Sequence, residues 1–251
     1  MYDVPAYFSP SSLSTFIQCP QRFKFEKIDK IRSADTEATV RGSFVHEILE
    51  ELLKLEPEHR TIEVAKNLSR ELWNQRWAEK AQPVSGGDMS KFMWSSWWCV
   101  ENYFQMEDPK QIEPMGLEVE VQGLIEGVPL YGIVDRWIME DGKIIVQDYK
   151  SGKVPKPQYS RDKKLQIMIY ADLLEKQTGL EAGRMDLLYV KEGKVVSYEP
   201  TSELRQSVAN DVANAWDEMV ASCSDEDFET RTGPLCNWCD HKPYCPAFGG
   251  S

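Results

Sequence analysis

The feature that most constrains this chain is a change of hydrophobic period. Up to about residue 110 the apolar residues recur at helical spacing. Leu13, Phe16 and Ile17 follow the helix start Ser9-Pro10-Ser11-Ser12, and Pro20 is expected to limit that helix. Phe44, Val45, Ile48, Leu49, Leu52 and Leu53 mark a helix from about Ser43 to Leu55. Leu68, Leu72, Trp73 and Trp77 mark one over roughly Ile62 to Glu79. A fourth helix carries Phe92, Met93, Trp97, Val100 and Phe104. From Gly116 the period becomes two. Leu117, Val119 and Val121 alternate with Glu118, Glu120 and Gln122, and Glu126-Gly127 and Asp141-Gly142 are turn signals. Strands Gly116 to Ile125, Val128 to Met139 and Lys143 to Tyr149 therefore form an antiparallel meander. Beyond it the pattern gives a helix from Lys163 to Gln177, strands Asp186 to Val190 and Lys194 to Tyr198, and a helix from Ser202 to Ala221. The last 30 residues are irregular and rich in cysteine. This order reads as an α+β or α/β core with a helical part before it and a metal module after it.

The strands carry charged residues where a core strand has none. Asp135 lies among Ile133, Val134, Trp137 and Ile138, and Gln147-Asp148-Tyr149-Lys150 ends the third strand. A period of two puts Asp148 and Lys150 on one face, and an antiparallel hairpin sets Asp135 beside Asp148. Two partly buried carboxylates repel and call for a cation. Hard oxygen ligands suit Mg²⁺ or Mn²⁺, and such an ion can activate water against a phosphate while Lys150 stabilises the developing charge. Taken alone, D-x-K is also what two ordinary hairpin ends would show. Glu118 on the first strand reads as a solvent-face charge, with a place among the acidic residues as the alternative.

Other pieces stand in order along the chain. His46 follows Gly42-Ser43-Phe44-Val45, Asp135 lies in Gly132-Ile133-Val134-Asp135-Arg136, and Gln166 and Tyr170 stand one turn apart just after the D-x-K strand. Together these resemble the RecB-type branch of the PD-(D/E)xK nuclease superfamily, a restriction-endonuclease-like core. The resemblance implies a metal held by His46, Asp135, Asp148 and the backbone carbonyl of Tyr149. It assigns Lys150 to catalysis, with Gln166 and Tyr170 supporting the site and contacting DNA.

Cysteine usage points the same way. Of six cysteines, Cys236, Cys239 and Cys245 crowd the last sixteen residues, as C-x₂-C followed after five residues by Cys-Pro. Such a set is one ligand short of a closed metal site. The segment Gln18-Cys19-Pro20-Gln21-Arg22-Phe23 resembles that of the iron–sulfur RecB-like nucleases, AddB-type and CRISPR-associated exonucleases among them. That likeness implies a 4Fe–4S cluster held by Cys19, Cys236, Cys239 and Cys245. A zinc site of Cys236, Cys239, His241 and Cys245 is the alternative. Cys99 and Cys223 read as small buried hydrophobes.

Charge and composition bound the rest. With 29 basic and 41 acidic residues the net charge is −12, which argues against a protein that coats nucleic acid. Two stretches run against that mean. Gln18 to Arg32 holds five basic residues against two acidic, and Lys150 to Lys164 holds six against one. Beside the motifs, both are candidate DNA contacts. Core packing is the first reading for each tryptophan, but Trp94, Trp97 and Trp98 cannot all share one helix face with Val100, so one or two are expected at the surface, where an exposed indole could stack on an unpaired base. No leader segment or apolar span of roughly 20 residues is visible, which fits a cytoplasmic protein without membrane contact.

The expected organisation is residues 1–110 as a helical part carrying Cys19 and His46, 111–221 as the nuclease core and 222–251 as the cysteine module. The expected activity is a Mg²⁺- or Mn²⁺-dependent DNA exonuclease on single-stranded ends, serving recombination, repair or replication. The alternatives are a CRISPR-adaptation nuclease that trims spacer precursors and a non-catalytic, cluster-containing DNA-binding subunit. A homo-oligomer or a recombination or integrase partner is compatible with the resemblance.

Overall fold

A computed structural model describes residues 1–250. In chain order the longer elements are α1 (Pro10–Gln18), α2 (Pro20–Phe23), α3 (Glu37–Leu53), α4 (Ile62–Leu72), α5 (Ala78–Ala81) and α6 (Met89–Met106). Strands β1 (Gly116–Ile125), β2 (Val128–Glu140) and β3 (Lys143–Tyr149) follow, then α7 (Arg161–Thr178), β4 (Ala182–Tyr189), β5 (Lys194–Tyr198) and α8 (Ser202–Asp225). The five strands form one mixed sheet in the order β1-β2-β3-β4-β5. The chain groups into two compact units, one of residues 35–120 and 133–200, the other of residues 1–34, 121–132 and 201–251.

In the first of these units, β2 pairs with β3 antiparallel, as the turn signal at Asp141-Gly142 requires. β3 pairs with β4 in parallel, which needs a long crossover, and α7 supplies it. α7 packs on β3 and β4 through Leu165, Ile167, Met168 and Leu173. With both faces covered, β3 is buried from Ile144 to Tyr149. α3, α4 and α6 enclose a second apolar layer that includes Phe44, Ile48, Leu52, Phe92, Val100 and Tyr103. Cys99 is buried there, in the structural role expected of it.

Two glycines set close approaches. A Cβ at Gly42 would lie 2.9 Å from Ser151 Oγ, so glycine lets α3 lie against the chain leaving β3. A Cβ at Gly116 would lie 2.4 Å from Val119 Cγ2 and 2.5 Å from Trp137 Nε1, which fixes the start of β1 beside β2.

In the other unit, a reciprocal Ser9–Ser12 cap starts α1. Phe8, Phe16, Phe23 and Trp216 form its aromatic core, with ring centroids 5.2–6.0 Å apart. The two ends of the chain meet here. Tyr2 N donates to Cys223 O at 2.9 Å, Gln21 N to Glu229 O at 3.0 Å, and Arg231 Nη1 to Ile17 O at 2.9 Å.

Several boundaries differ from the sequence reading. α3 begins at Glu37 rather than Ser43, because Thr36 and Thr39 cap each other's backbone a full turn and more upstream. Pro20 does end α1, but it also opens α2, since a proline at the first helical position forfeits no hydrogen bond. The third helix turns π-helical at Trp73–Trp77, where the bulky indoles are accommodated, before α5 resumes. β4 begins at Ala182 rather than Asp186 and ends at Tyr189.

Phe16 is fully buried in the aromatic cluster, against Phe8 and Phe23. Phe16→Ala is expected to destabilise the protein by about 3–5 kcal/mol, measured by urea unfolding. A loss under about 1 kcal/mol would show that this cluster is not a packed core.

Candidate active site

The register that pairs Arg136 with Gln147 sets Asp135 opposite Asp148 one step further along the hairpin. Both carboxylates are buried, Asp135 at 9% exposure and Asp148 at 2%. Asp135 Oδ2 accepts a hydrogen bond from Tyr149 N at 2.7 Å. Lys150 follows on the same face as Asp148, and its ammonium pairs with Asp148 Oδ2. Lys150 Nζ donates to Gln166 Oε1 at 2.9 Å, and Gln166 Nε2 donates to the Tyr170 hydroxyl at 3.1 Å. Residues 166 and 170 stand one turn apart on α7, so the helix that covers β3 also fixes the lysine.

α3 brings His46 to the same place. Its Nε2 donates to the carbonyl of Tyr149 at 2.9 Å, which leaves Nδ1, 3.4 Å from Asp135 Oδ2, as the free lone pair of the neutral ring. Burial lowers the His46 pKa, ahead of the opposing pull of Asp148, so the neutral ring is favoured at neutral pH.

Glu118 joins this group against the sequence expectation of a solvent-face charge. Its φ of +47° interrupts the alternation of β1, and the side chain turns toward the site. One ligand atom each of His46, Glu118 and Asp135 lie within 4.8 Å of one another. Asp148 stands outside this trio, held by Lys150.

The carboxylates strain against each other. Burial, and then the charge of Asp148, pushes Asp135 well above the usual carboxylate range. Burial, and then Asp135 and Glu50, brings Glu118 up to about 7. A cluster that resists ionisation in this way, with a neutral imidazole beside it, has the donor set of a hard divalent cation. His46, Glu118 and Asp135 would hold such an ion, and its charge would allow the acids to ionise.

Behind the site lies an anchor that the sequence reading missed. Arg136 is fully buried and forks onto Glu107, with Nη1 2.5 Å from Oε1 and Nη2 2.9 Å from Oε2. Its Nη1 also donates to the Tyr103 hydroxyl at 3.2 Å and its Nε to Gln147 Oε1 at 2.7 Å. Gln147 passes the chain on to Asp186, at 3.2 Å. Arginine next to the strand aspartate was visible in the sequence, but its partner at the end of α6 carried no local signal.

The other unit holds the second constellation. Cys19 sits in extended backbone between α1 and α2. It lines one cavity of about 220 Å³ together with Cys236, Cys239 and Cys245. Arg22, Arg231 and Lys242 line the same cavity. His241 does not line it. Its buried ring faces Ser33 Oγ at 3.1 Å and Glu26 Oε1 at 3.4 Å through Nε2 and packs against Phe25. Cys223 is buried and apart, as expected.

A mixed sheet with a D-x-K strand end, a facing strand aspartate and a helix-borne glutamine defines a nuclease-like site. Residues 7–246 match the family model of the PD-(D/E)XK nuclease superfamily, and the chain belongs to that superfamily. It is 22% identical to the gene 69 protein of Mycobacterium phage L5 and 24% identical to that of Mycobacterium phage D29, in each case over 96% of both chains. A crystal structure described as a "putative exonuclease" from Eubacterium rectale shares the fold, with a TM-score of 0.61 and 15% identity over 94% of this chain and 88% of that one.

Glu107→Leu would leave the buried Arg136 guanidinium without its anion and is expected to cost about 3–5 kcal/mol. Adding Arg136→Met should recover much of that loss. Thermal or urea unfolding of the two variants decides it, and a cost under about 1 kcal/mol for the single change would show that the pair anchors nothing.

Proposed function

We propose that this protein is a RecB-like, metal-dependent deoxyribonuclease that degrades single-stranded DNA from its ends. The observation that carries the reading is the meeting of the buried Asp135 and Asp148 with the partly exposed Lys150, His46 and Glu118 in one acidic site. The Eubacterium rectale neighbour, named for exonuclease activity, agrees with it.

A divalent ion bound there supplies a Lewis acid for a phosphate oxygen and makes water a better nucleophile near neutral pH. His46, Glu118 and Asp135 act as its ligands, with Asp148 and the Tyr149 carbonyl at hand beside them. Lys150 offers its ammonium to the charge that develops on the phosphate as water attacks phosphorus and the P–O bond breaks. Gln166, itself held by Tyr170, keeps that ammonium on its axis, so Lys150 is aimed before substrate arrives.

Cleavage of end-labelled single- and double-stranded DNA, with either end blocked, tests this. Wild type should cut single strands with Mn²⁺ or Mg²⁺ and stop in EDTA. Lys150→Ala should lower kcat by about 10²–10³-fold. Mn²⁺ should raise the melting temperature of wild type and leave that of Asp135→Ala unmoved, because an ion that binds only the folded state stabilises it. Full cleavage by Lys150→Ala would defeat the assignment.

In the same reading Cys19, Cys236, Cys239 and Cys245 hold a 4Fe–4S cluster. Four thiols on one cavity are the donor set of such a cluster, and three nearby cationic side chains suit its negative charge. The neutral-histidine zinc alternative would need His241, whose ring is engaged elsewhere. The cluster would tie the segment around Cys19 to the C-terminal segment. Anaerobically purified protein should be brown with four iron and four sulfide per chain, and Cys19→Ser should lose both. Colourless protein with stoichiometric zinc would sink this part of the proposal.

A further inference from the structure

α6 keeps two indoles in water. Trp94 is 68% exposed and Trp98 is 56% exposed, one turn apart on the same face. Large aromatic side chains normally bury most of their surface, so a pair left out on one face asks for a ligand. A surface groove of about 290 Å³ has Trp94 in its lining, with Trp98 one turn further along α6 outside it. Met93, Trp94, Trp97 and Glu101 of α6 form one wall, and Lys66, Ser69 and Arg70 of α4 form the other. Lys66 and Arg70 stand one turn apart on α4, and no ion pair among the described residues engages either.

We propose that this α4–α6 groove binds the unpaired bases of single-stranded DNA, with Trp94 and Trp98 as stacking platforms and Lys66 and Arg70 on the phosphates. The inference deepens the nuclease reading above and rests on it for the choice of polymer. Single-strand binding needs these two elements side by side: flat aromatic faces and cations that follow the backbone. A duplex hides its base faces, so exposed indoles select the unpaired strand. A compact apolar ligand fits less well. Pockets for such ligands are enclosed and run from about 300 to 1,000 Å³, whereas this groove is open, lies at that lower bound and is flanked by two cations. Glu101 on the α6 wall repels phosphate, which orients the strand with its bases over α6 and its backbone along α4.

Fluorescence anisotropy in EDTA, with labelled oligothymidylate and an abasic oligomer of equal length, tests the proposal. Wild type should favour the base-bearing probe by about 5–100-fold. Trp94→Ala should shrink that preference most of the way to unity, and Trp94→Phe should keep it. The Lys66→Ala/Arg70→Ala variant should weaken both probes alike and flatten the salt dependence. All these side chains reach the surface, and thermal melts confirm folding. Equal affinity of wild type for the two probes, or undiminished preference in both Trp94→Ala and Trp98→Ala, would overturn the site. Mn²⁺-dependent cleavage by the same samples separates the two readings. Cleavage without base preference removes the groove and leaves the nuclease, and base preference without cleavage does the reverse.

Discussion

The catalytic unit is organised around the cost of placing Asp135 and Asp148 opposite each other on adjacent buried strands. Burial and the charge of Asp148 make Asp135 costly to ionise away from water. Every neighbour of the pair bears on that cost. The Tyr149 amide holds Asp135, and the Lys150 ammonium holds Asp148. Arg136, directly after Asp135, is locked by Glu107 and so adds a positive charge that cannot swing away. What is left over is a demand for one more cation on the side of His46 and Glu118. The fold thus holds a site in tension that metal binding would relieve, which is how a strained arrangement can favour binding over maximal stability.

Much of this geometry was legible because sheets are regular. A period of two and a two-residue turn suffice to place Asp135, Asp148 and Lys150 together, and α7 had to follow β3 if β4 was to be parallel. Glu118 was legible only as the alternative, for the complementary reason. The alternation rule assigns it to solvent, and only the left-handed backbone at that residue defeats the rule. Nothing in Leu117-Glu118-Val119 announces such a conformation, since glycine, asparagine and aspartate are its usual hosts. The Arg136–Glu107 pair was illegible because its partners are 29 residues apart on a helix end and a strand, and no periodicity links them.

The cysteine module divides in the same manner. Spacing alone groups Cys236, Cys239 and Cys245. Cys19 joins them only because the chain ends are brought together by long-range hydrogen bonds such as Arg231 to Ile17 O, 214 positions apart in the sequence. Closing so long a loop is entropically costly, and the unit meets that cost with the Phe8, Phe16, Phe23 and Trp216 core rather than with polar contacts alone. A cross-link by four cysteine ligands would act where the chain most needs one.

The charge runs that looked like DNA contacts are partly consumed inside the fold. In the stretch from Gln18 to Arg32, Arg22 pairs with Glu26 and Lys24 with Asp29, so both acidic residues neutralise a neighbour and leave Lys27, Lys30 and Arg32 to face outward interactions. In the stretch from Lys150 to Lys164, Lys150 pairs with Asp148, Lys164 lies over the Tyr198 ring at 5.0 Å, and Lys163 is half-buried with its pKa lowered by burial and by Lys150. Lys163 stands one turn before Gln166 on α7, and Lys153, Lys156 and Arg161 of the same run are exposed. Local net charge marks where cations cluster, and only burial and pairing decide which of them remain for a nucleic acid.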